Sequence, residues 1–169
     1  MASHLPATNF SQISGVLEIV DDHKGRVDVA RIAGEHGLGM DDLLPAVEAA
    51  EMLGFVKVQE GDIELLDAGR KVLKASLLHR KKLLREQVLK LPLFQDVIGK
   101  LSKAGGRMRR EDLAEILGFK LWTHDTEQAV RTVINWGRHT AILSYDADNG
   151  QVILLATPTS GGTPATQPS

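Results

Sequence analysis

Apolar positions along residues 10–66 follow first a helical period and then a period of two. Ile13, Val16, Leu17 and Val20 recur at helical spacing and predict a helix over Ser11–Asp22, broken by His23-Lys24-Gly25. Val27-Asp28-Val29 reads as a short strand, with Asp28 as the N-cap of a second helix carrying Ala30, Ile32 and Ala33. Gly34, Gly37 and Gly39 punctuate the turn that follows. A third helix opens at Asp41 or Asp42 and carries Leu43, Leu44, Val47, Ala50, Met52 and Leu53. Pro45 falls in its first turn and Gly54 ends it. Phe55–Val58 and Ile63–Leu66, joined around Glu60-Gly61-Asp62, then predict a hairpin. Three helices and a hairpin whose last strand runs into another helix make a winged-helix arrangement.

The same order returns after residue 92. Val97, Ile98 and Leu101 mark a helix over Phe94–Lys103, followed by the basic turn Gly105-Gly106-Arg107. Arg109–Leu117 reads as a second helix, and a third runs from Asp125 or Thr126 to Gly137 with Ala129, Val130, Val133, Ile134 and Trp136 inside. Ala141–Tyr145 and Gln151–Leu155 flank Asn149-Gly150, a strong hairpin signal.

Between the two modules, Asp67–Leu91 reads as one long basic helix, with Asp67 as N-cap and Pro92 setting the stop. It carries Arg70, Lys71, Lys74, Arg80, Lys81, Lys82, Arg85 and Lys90 against one internal carboxylate, Glu86. Leu73, Leu77, Leu84, Val88 and Leu91 approach a heptad seam, which either packs on the two modules or pairs with a second copy. The expected fold class is therefore mainly α with small β-hairpins (α+β): tandem winged-helix modules joined by a long basic helix. The expected organisation is a lead-in at 1–9, module one at 10–66, the connecting helix at 67–91, module two at 92–156 and a tail at 157–169. The tail, TPTSGGTPATQPS, has no charged and no large apolar side chain and is expected to be disordered.

Composition changes this picture little, since 43% hydrophobic and 25% charged residues over 169 positions describe an ordinary globular chain. Net charge is −2, so no global field draws the protein to DNA or to an anionic membrane, and any electrostatic role is local. There is no cysteine, which excludes disulfides and thiolate metal sites. No apolar run approaches the roughly 20 residues that span a bilayer, and the start MASHLPATNF is not a signal peptide. A cytoplasmic protein without direct membrane insertion is expected.

Candidate chemistry is sparse. No G-x-x-x-x-G-K-[ST] occurs, so ATP hydrolysis by this chain is not expected. His4, His23, His36, His79, His124 and His139 form no H-x-x-x-H or H-E-x-x-H pair. Asp146-Ala147-Asp148-Asn149-Gly150 opens like a Ca²⁺ loop, but the twelfth position is Thr157 rather than Glu, and a turn explains the residues. No nucleophile elbow is present, and Arg109-Arg110-Glu111-Asp112 reads as a solvated helix start. No metal, cofactor or catalytic residue is assigned.

Winged helices make DNA binding the natural rival. Direct readout needs Arg, Lys, Asn or Gln on the third helix. In module one that helix carries Asp41, Asp42, Glu48 and Glu51 and no base. In module two Arg131, Asn135 and Arg138 are candidate surface residues, alongside His124 and Gln128 and balanced by Asp125 and Glu127. The connecting helix offers Arg80, Lys81, Lys82 and Arg85 as candidates for docking an acidic protein partner. A third reading is a small-ligand pocket between the modules near Trp122, Trp136 and Tyr145, although core burial is the expectation for these aromatics.

MDDLLPAVEAAEMLGF (40–55), EGDIELLDAGR (60–70), HRKKLLREQVLKLPL (79–93), TVINWGR (132–138) and SYDADNGQV (144–152) together resemble the C-terminal AAA-associated domain. That domain is usually found behind the ATPase domain of nitrate/sulfonate/bicarbonate-type (NitT/TauT) ABC importers. The resemblance spans roughly residues 12–155 in unbroken order; Asn135 stands where an acidic residue would be expected. It implies a non-catalytic accessory domain that regulates or assembles an importer ATPase, with ATP bound by the partner. No ATPase domain is present in this sequence, so the alternatives are a subunit acting in trans, which is the expectation, and a fragment of a longer protein. The expected place of action is the cytoplasm, at the inner membrane where the transporter lies. The alternative function is a winged-helix DNA-binding transcriptional regulator.

Overall fold

Asn9 fixes the start of the first helix, its side-chain oxygen accepting the Gln12 N–H at 2.9 Å. The computed structural model describes residues 4–37 and 39–155. The tail expected to be disordered, at 157–169, and the first three residues of the lead-in lie outside them. Helix α1 (Phe10–Asp22) buries Phe10, Ile13, Val16, Leu17 and Val20. Strand β1 (Arg26–Asp28) leads directly into α2 (Val29–His36), and Asp28 caps that helix through the Ala30 and Arg31 amides. Helix α3 (Met40–Met52) starts one residue ahead of Asp41. Pro45 therefore lies past the first turn, where it removes the amide that the Asp41 carbonyl would otherwise accept.

Strands β2 (Val56–Gln59) and β3 (Asp62–Leu65) turn through Glu60 and Gly61, both at positive φ (52° and 84°), as a tight two-residue hairpin requires. β3 pairs with β1 on its other edge, giving the antiparallel order β1-β3-β2.

The single helix expected over 67–91 is two helices. α4 (Asp67–Lys74) stops at Ala75, which is extended at φ −78°, ψ 153°, and α5 (Leu77–Leu89) begins after Ser76. The cause is local. The Ser76 hydroxyl accepts the His79 amide at 3.3 Å, a capping bond that competes with helix continuation. Arg80 reaches back to the last carbonyls of α4, which a helix end leaves without donors. Leu66 rather than Asp67 is the N-cap of α4, and Leu91 is the N-cap of α6 with Pro92 in its first turn.

The second half repeats the order. α6 (Pro92–Lys103) is followed by β4 (Arg107–Arg109), a strand where the sequence pattern suggested only a turn. Three residues with one half-buried side chain, Met108, give no alternation to read. α7 runs over Arg110–Leu121, longer than expected at its C-terminal end, and α8 over Thr126–His139, with Asp125 accepting the Gln128 amide. Strands β5 (Leu143–Asp146) and β6 (Gln151–Leu154) complete a sheet of order β4-β6-β5. Their loop is held by Asp146, whose carboxylate accepts from the Asp148 and Asn149 amides and the Asn149 side chain. The result is α+β: eight helices and six short antiparallel strands among the described residues.

The buried side chains of both halves form one continuous cluster. At its centre Trp136 of α8 is fully buried, stacked on Phe94 of α6 at 6.1 Å and tilted against Phe10 of α1 at 5.5 Å. Its indole N–H donates to the Thr8 carbonyl at 3.0 Å, so the lead-in is anchored on the second half. Gln87 of α5 donates to the Leu53 carbonyl at 2.7 Å, tying the connector to the end of α3.

Candidate functional site

Two surfaces emerge from the residues singled out by sequence. The first is the α4–α5 elbow. Arg80 is engaged within the chain: its guanidinium donates to Val72 O at 2.9 Å and Leu73 O at 3.1 Å, and so holds the bend. Arg85 is half-buried, whereas Lys81 and Lys82 are exposed. The apolar seam is largely internal, with Leu84 and Val88 buried in the common core and unable to pair with a second copy. What the elbow presents instead is Leu77 and Leu78, 82% and 83% exposed, between Lys74 and the Lys81-Lys82 pair. Ser76 makes this so, because restarting the helix there turns the first α5 residues away from the core.

The second surface is a groove of about 690 Å³ between the two halves. One wall is α8, where Gln128, Arg131, Asn135 and Arg138 recur at helical spacing on the exposed face. Arg110 at the start of α7 and Tyr145 of β5 continue this wall, and the Arg110 guanidinium lies 5.6 Å from the centre of the Tyr145 ring. The facing wall comes from the first half: Thr8, Asn9 and Gln12. The Trp136–Thr8 bond fixes this wall in place, and Thr8 also donates to the Gln12 side chain at 2.9 Å.

Among the described residues three arginines line the groove and no carboxylate does. Glu127, just outside, accepts from Arg110 and lies 3.9 Å from Arg131. Arg138 has no carboxylate partner among the described residues. His139 closes one end, its ring stacked on Phe10 at 5.0 Å. Burial there, and secondarily the Lys81 charge, hold its pKa below the ordinary histidine value. The corresponding helix of the first half is of opposite character: α3 exposes Asp41, Asp42, Glu48 and Glu51.

Arg131, Asn135 and Arg138 are thus brought together, while the elbow candidates are divided. Sequence reasoning set Arg110 aside as part of a solvated helix start. Its neighbour Arg109 does pair locally with Asp112 at 3.1 Å, but Arg110 turns into the groove. Thr8, Asn9 and Gln12 carry no sequence signal for this role, since what sets them against α8 is the bond from Trp136 to Thr8 across 128 residues. Of the three aromatics, Trp136 is core, Tyr145 is half-buried, and Trp122 is 81% exposed at φ 53°, contrary to the expected burial. Trp122 closes α7 by donating its amide to the Gly118 carbonyl.

Among the described residues no group of three His, Cys, Asp or Glu side chains is placed to hold a metal ion, and no helix is long and apolar enough to cross a membrane. Compared with the curated proteins and with the solved structures, the chain has no significant match. The family model of the C-terminal AAA-associated domain matches residues 30–146, from α2 through β5. That match covers more than half of the chain, which therefore belongs to the family of the C-terminal AAA-associated domain.

Proposed function

We propose that this chain is a non-catalytic accessory subunit that docks on the ATPase component of an ABC-type anion importer of the nitrate/sulfonate/bicarbonate class. Family membership supports association with an ABC-type ATPase system. The observation that carries the docking reading is the elbow, where Leu77 and Leu78 stand exposed among Lys74, Lys81 and Lys82. An apolar centre rimmed by charge is the usual anatomy of a protein interface, and the lysines select an acidic partner surface. In this reading each half is a winged-helix module, supported by the repeated element order and by the matching sheet orders β1-β3-β2 and β4-β6-β5. ATP is bound by the partner. The subunit acts by binding one conformation of the ATPase pair better than the other, since only differential affinity shifts a conformational equilibrium.

The test is docking of the full chain on the ATPase component, measured by calorimetry. Lys81→Glu with Lys82→Glu, and separately Leu77→Ser with Leu78→Ser, each weaken binding at least tenfold without changing the circular dichroism spectrum. Undiminished binding by both variants refutes the elbow as the docking surface.

A DNA-binding transcriptional regulator is the second reading, favoured by the polar stripe Gln128, Arg131, Asn135 and Arg138 on α8. Against it stand the four exposed carboxylates of α3, which repel phosphates where a tandem reader needs a second base-contacting helix. A salt-tolerant complex with duplex DNA in a gel shift would favour this reading over docking.

A further inference from the structure

We propose that the groove between α8 and the anchored amino-terminal segment is a binding site for a small, multiply charged phosphate compound, of the phosphate-ester or polyphosphate class. The proposal is independent of docking at the elbow, which lies on other residues.

The size is right. About 690 Å³ falls within the roughly 300–1,000 Å³ of small-molecule sites. The chemistry is unusual for such a site, because most are lined chiefly by apolar groups. Here Arg110, Arg131 and Arg138 are joined by Asn135, Gln128 and Gln12, with no carboxylate among the described lining residues of a chain whose net charge is −2. Such a surface gains little from apolar contact and much from anionic oxygens, which guanidinium groups bind through paired, charge-assisted hydrogen bonds. Arg138 has no carboxylate partner among the described residues and is available to a ligand. Arg110 and Arg131 share one carboxylate, Glu127, which an incoming anion replaces.

Two features favour phosphate over carboxylate. The arginines come from two helices, and a tetrahedral phosphate accepts donors from several directions where a planar carboxylate accepts best in its own plane. Arg131 and Arg138 are seven residues apart, about 10 Å along the helix axis, which suits a ligand with more than one phosphoryl group. Shape argues against a nucleic acid here. A reading helix must stand proud to enter a major groove about 12 Å wide, whereas the polar face of α8 is flanked by the Thr8–Asn9 segment, pinned by Trp136. Because the walls come from both halves, a ligand in the groove also braces one half against the other.

The experiment titrates inorganic pyrophosphate into the full chain, with citrate as the carboxylate comparison, at 50 and 200 mM NaCl. Binding is read by calorimetry and by backbone amide shifts. The expected result is saturable one-to-one binding of pyrophosphate, tighter than citrate at both salt concentrations, with shifts clustered at residues 8–12, 110 and 128–139. Arg138→Gln and, independently, Asn135→Asp weaken it at least tenfold, while Lys74→Gln and Lys82→Gln leave it within twofold. All four positions are exposed, so the variants keep the fold, which circular dichroism checks. Absence of saturable binding overturns the proposal. So do equal losses in the groove and elbow variants, which mean diffuse charge attraction, and displacement of pyrophosphate by a random duplex at 200 mM salt, which means a nucleic-acid surface.

Discussion

Arg80 donates its Nε–H to the Val72 carbonyl at 2.9 Å, across the bend that separates α4 from α5. With the second bond to Leu73, a side chain on the new helix satisfies the end of the old one. Arg80→Ala leaves those carbonyls without a donor and is expected to cost about 1–2 kcal/mol, the lower part of the range for charged hydrogen bonds because the site is half-exposed. Urea denaturation measures it. Arg80→Lys, a point charge without the planar fork, recovers only part. No loss in Arg80→Ala would mean that Ser76 alone maintains the bend.

Gly69 sits in α4 where the helix crosses the start of β2. A Cβ there would meet the Phe55 carbonyl oxygen at 2.5 Å and Leu65 Cδ1 at 2.7 Å. Gly69→Ala is expected to destabilise by about 1–3 kcal/mol from overpacking, despite the better helix propensity of alanine. Gly99→Ala in α6, with nothing within 4 Å, has the opposite sign and stabilises by up to about 1 kcal/mol. Thermal melts of the two variants should therefore move in opposite directions.

Trp136→Phe removes the donor for the Thr8 carbonyl and leaves a gap in the core, at an expected cost of about 2–4 kcal/mol. The two tryptophans should also differ optically. Trp122, 81% exposed, emits at longer wavelength and is quenched by iodide, while the fully buried Trp136 is protected. Equal quenching in Trp122→Phe and Trp136→Phe variants would contradict this assignment.

Two histidines give pH dependences of opposite sign. The His23 ring bonds the Ile19 carbonyl and then Glu35, which raises its pKa. A raised folded-state pKa contributes stability that is full below about pH 6.5, the ordinary histidine value, and is lost as pH rises through the folded value. His139 is lowered by burial and then by Lys81, so its contribution is present above about pH 6.5 and lost as pH falls. Between pH 5.5 and 8, wild type should therefore lose stability relative to His23→Gln on raising pH, and relative to His139→Gln on lowering it. Parallel melting curves for wild type and either variant would remove that histidine from the account.

Elements whose signal is local were legible in the sequence. The Asp28 cap, the Gly61 turn, the acidic face of α3 and the apolar stripe of α8 all follow from spacing and residue type. The break at Ala75–Ser76 is masked because apolar residues on both sides keep nearly one heptad register, although Leu84 and Val88 are buried, Leu73 and Leu91 pack half-buried against the core, and Leu77 points out. β4 escaped notice because its three residues acquire a strand only by pairing with β6, over 40 residues later. The groove was half-legible. Arg131, Asn135 and Arg138 share a face by periodicity alone, but their opposite wall depends on Trp136 finding Thr8, a contact that no window along the chain contains.

That last contact also sets a clock. Thr8 and Trp136 are 128 positions apart, so at about 5–20 residues per second Thr8 is incorporated roughly 6–26 s before its partner. For that interval the ring of Phe10 lacks the two aromatic partners, Trp136 and His139, that it meets in the fold. Synthesis of α8 is therefore the event that completes the packing of α1 at its amino-terminal end.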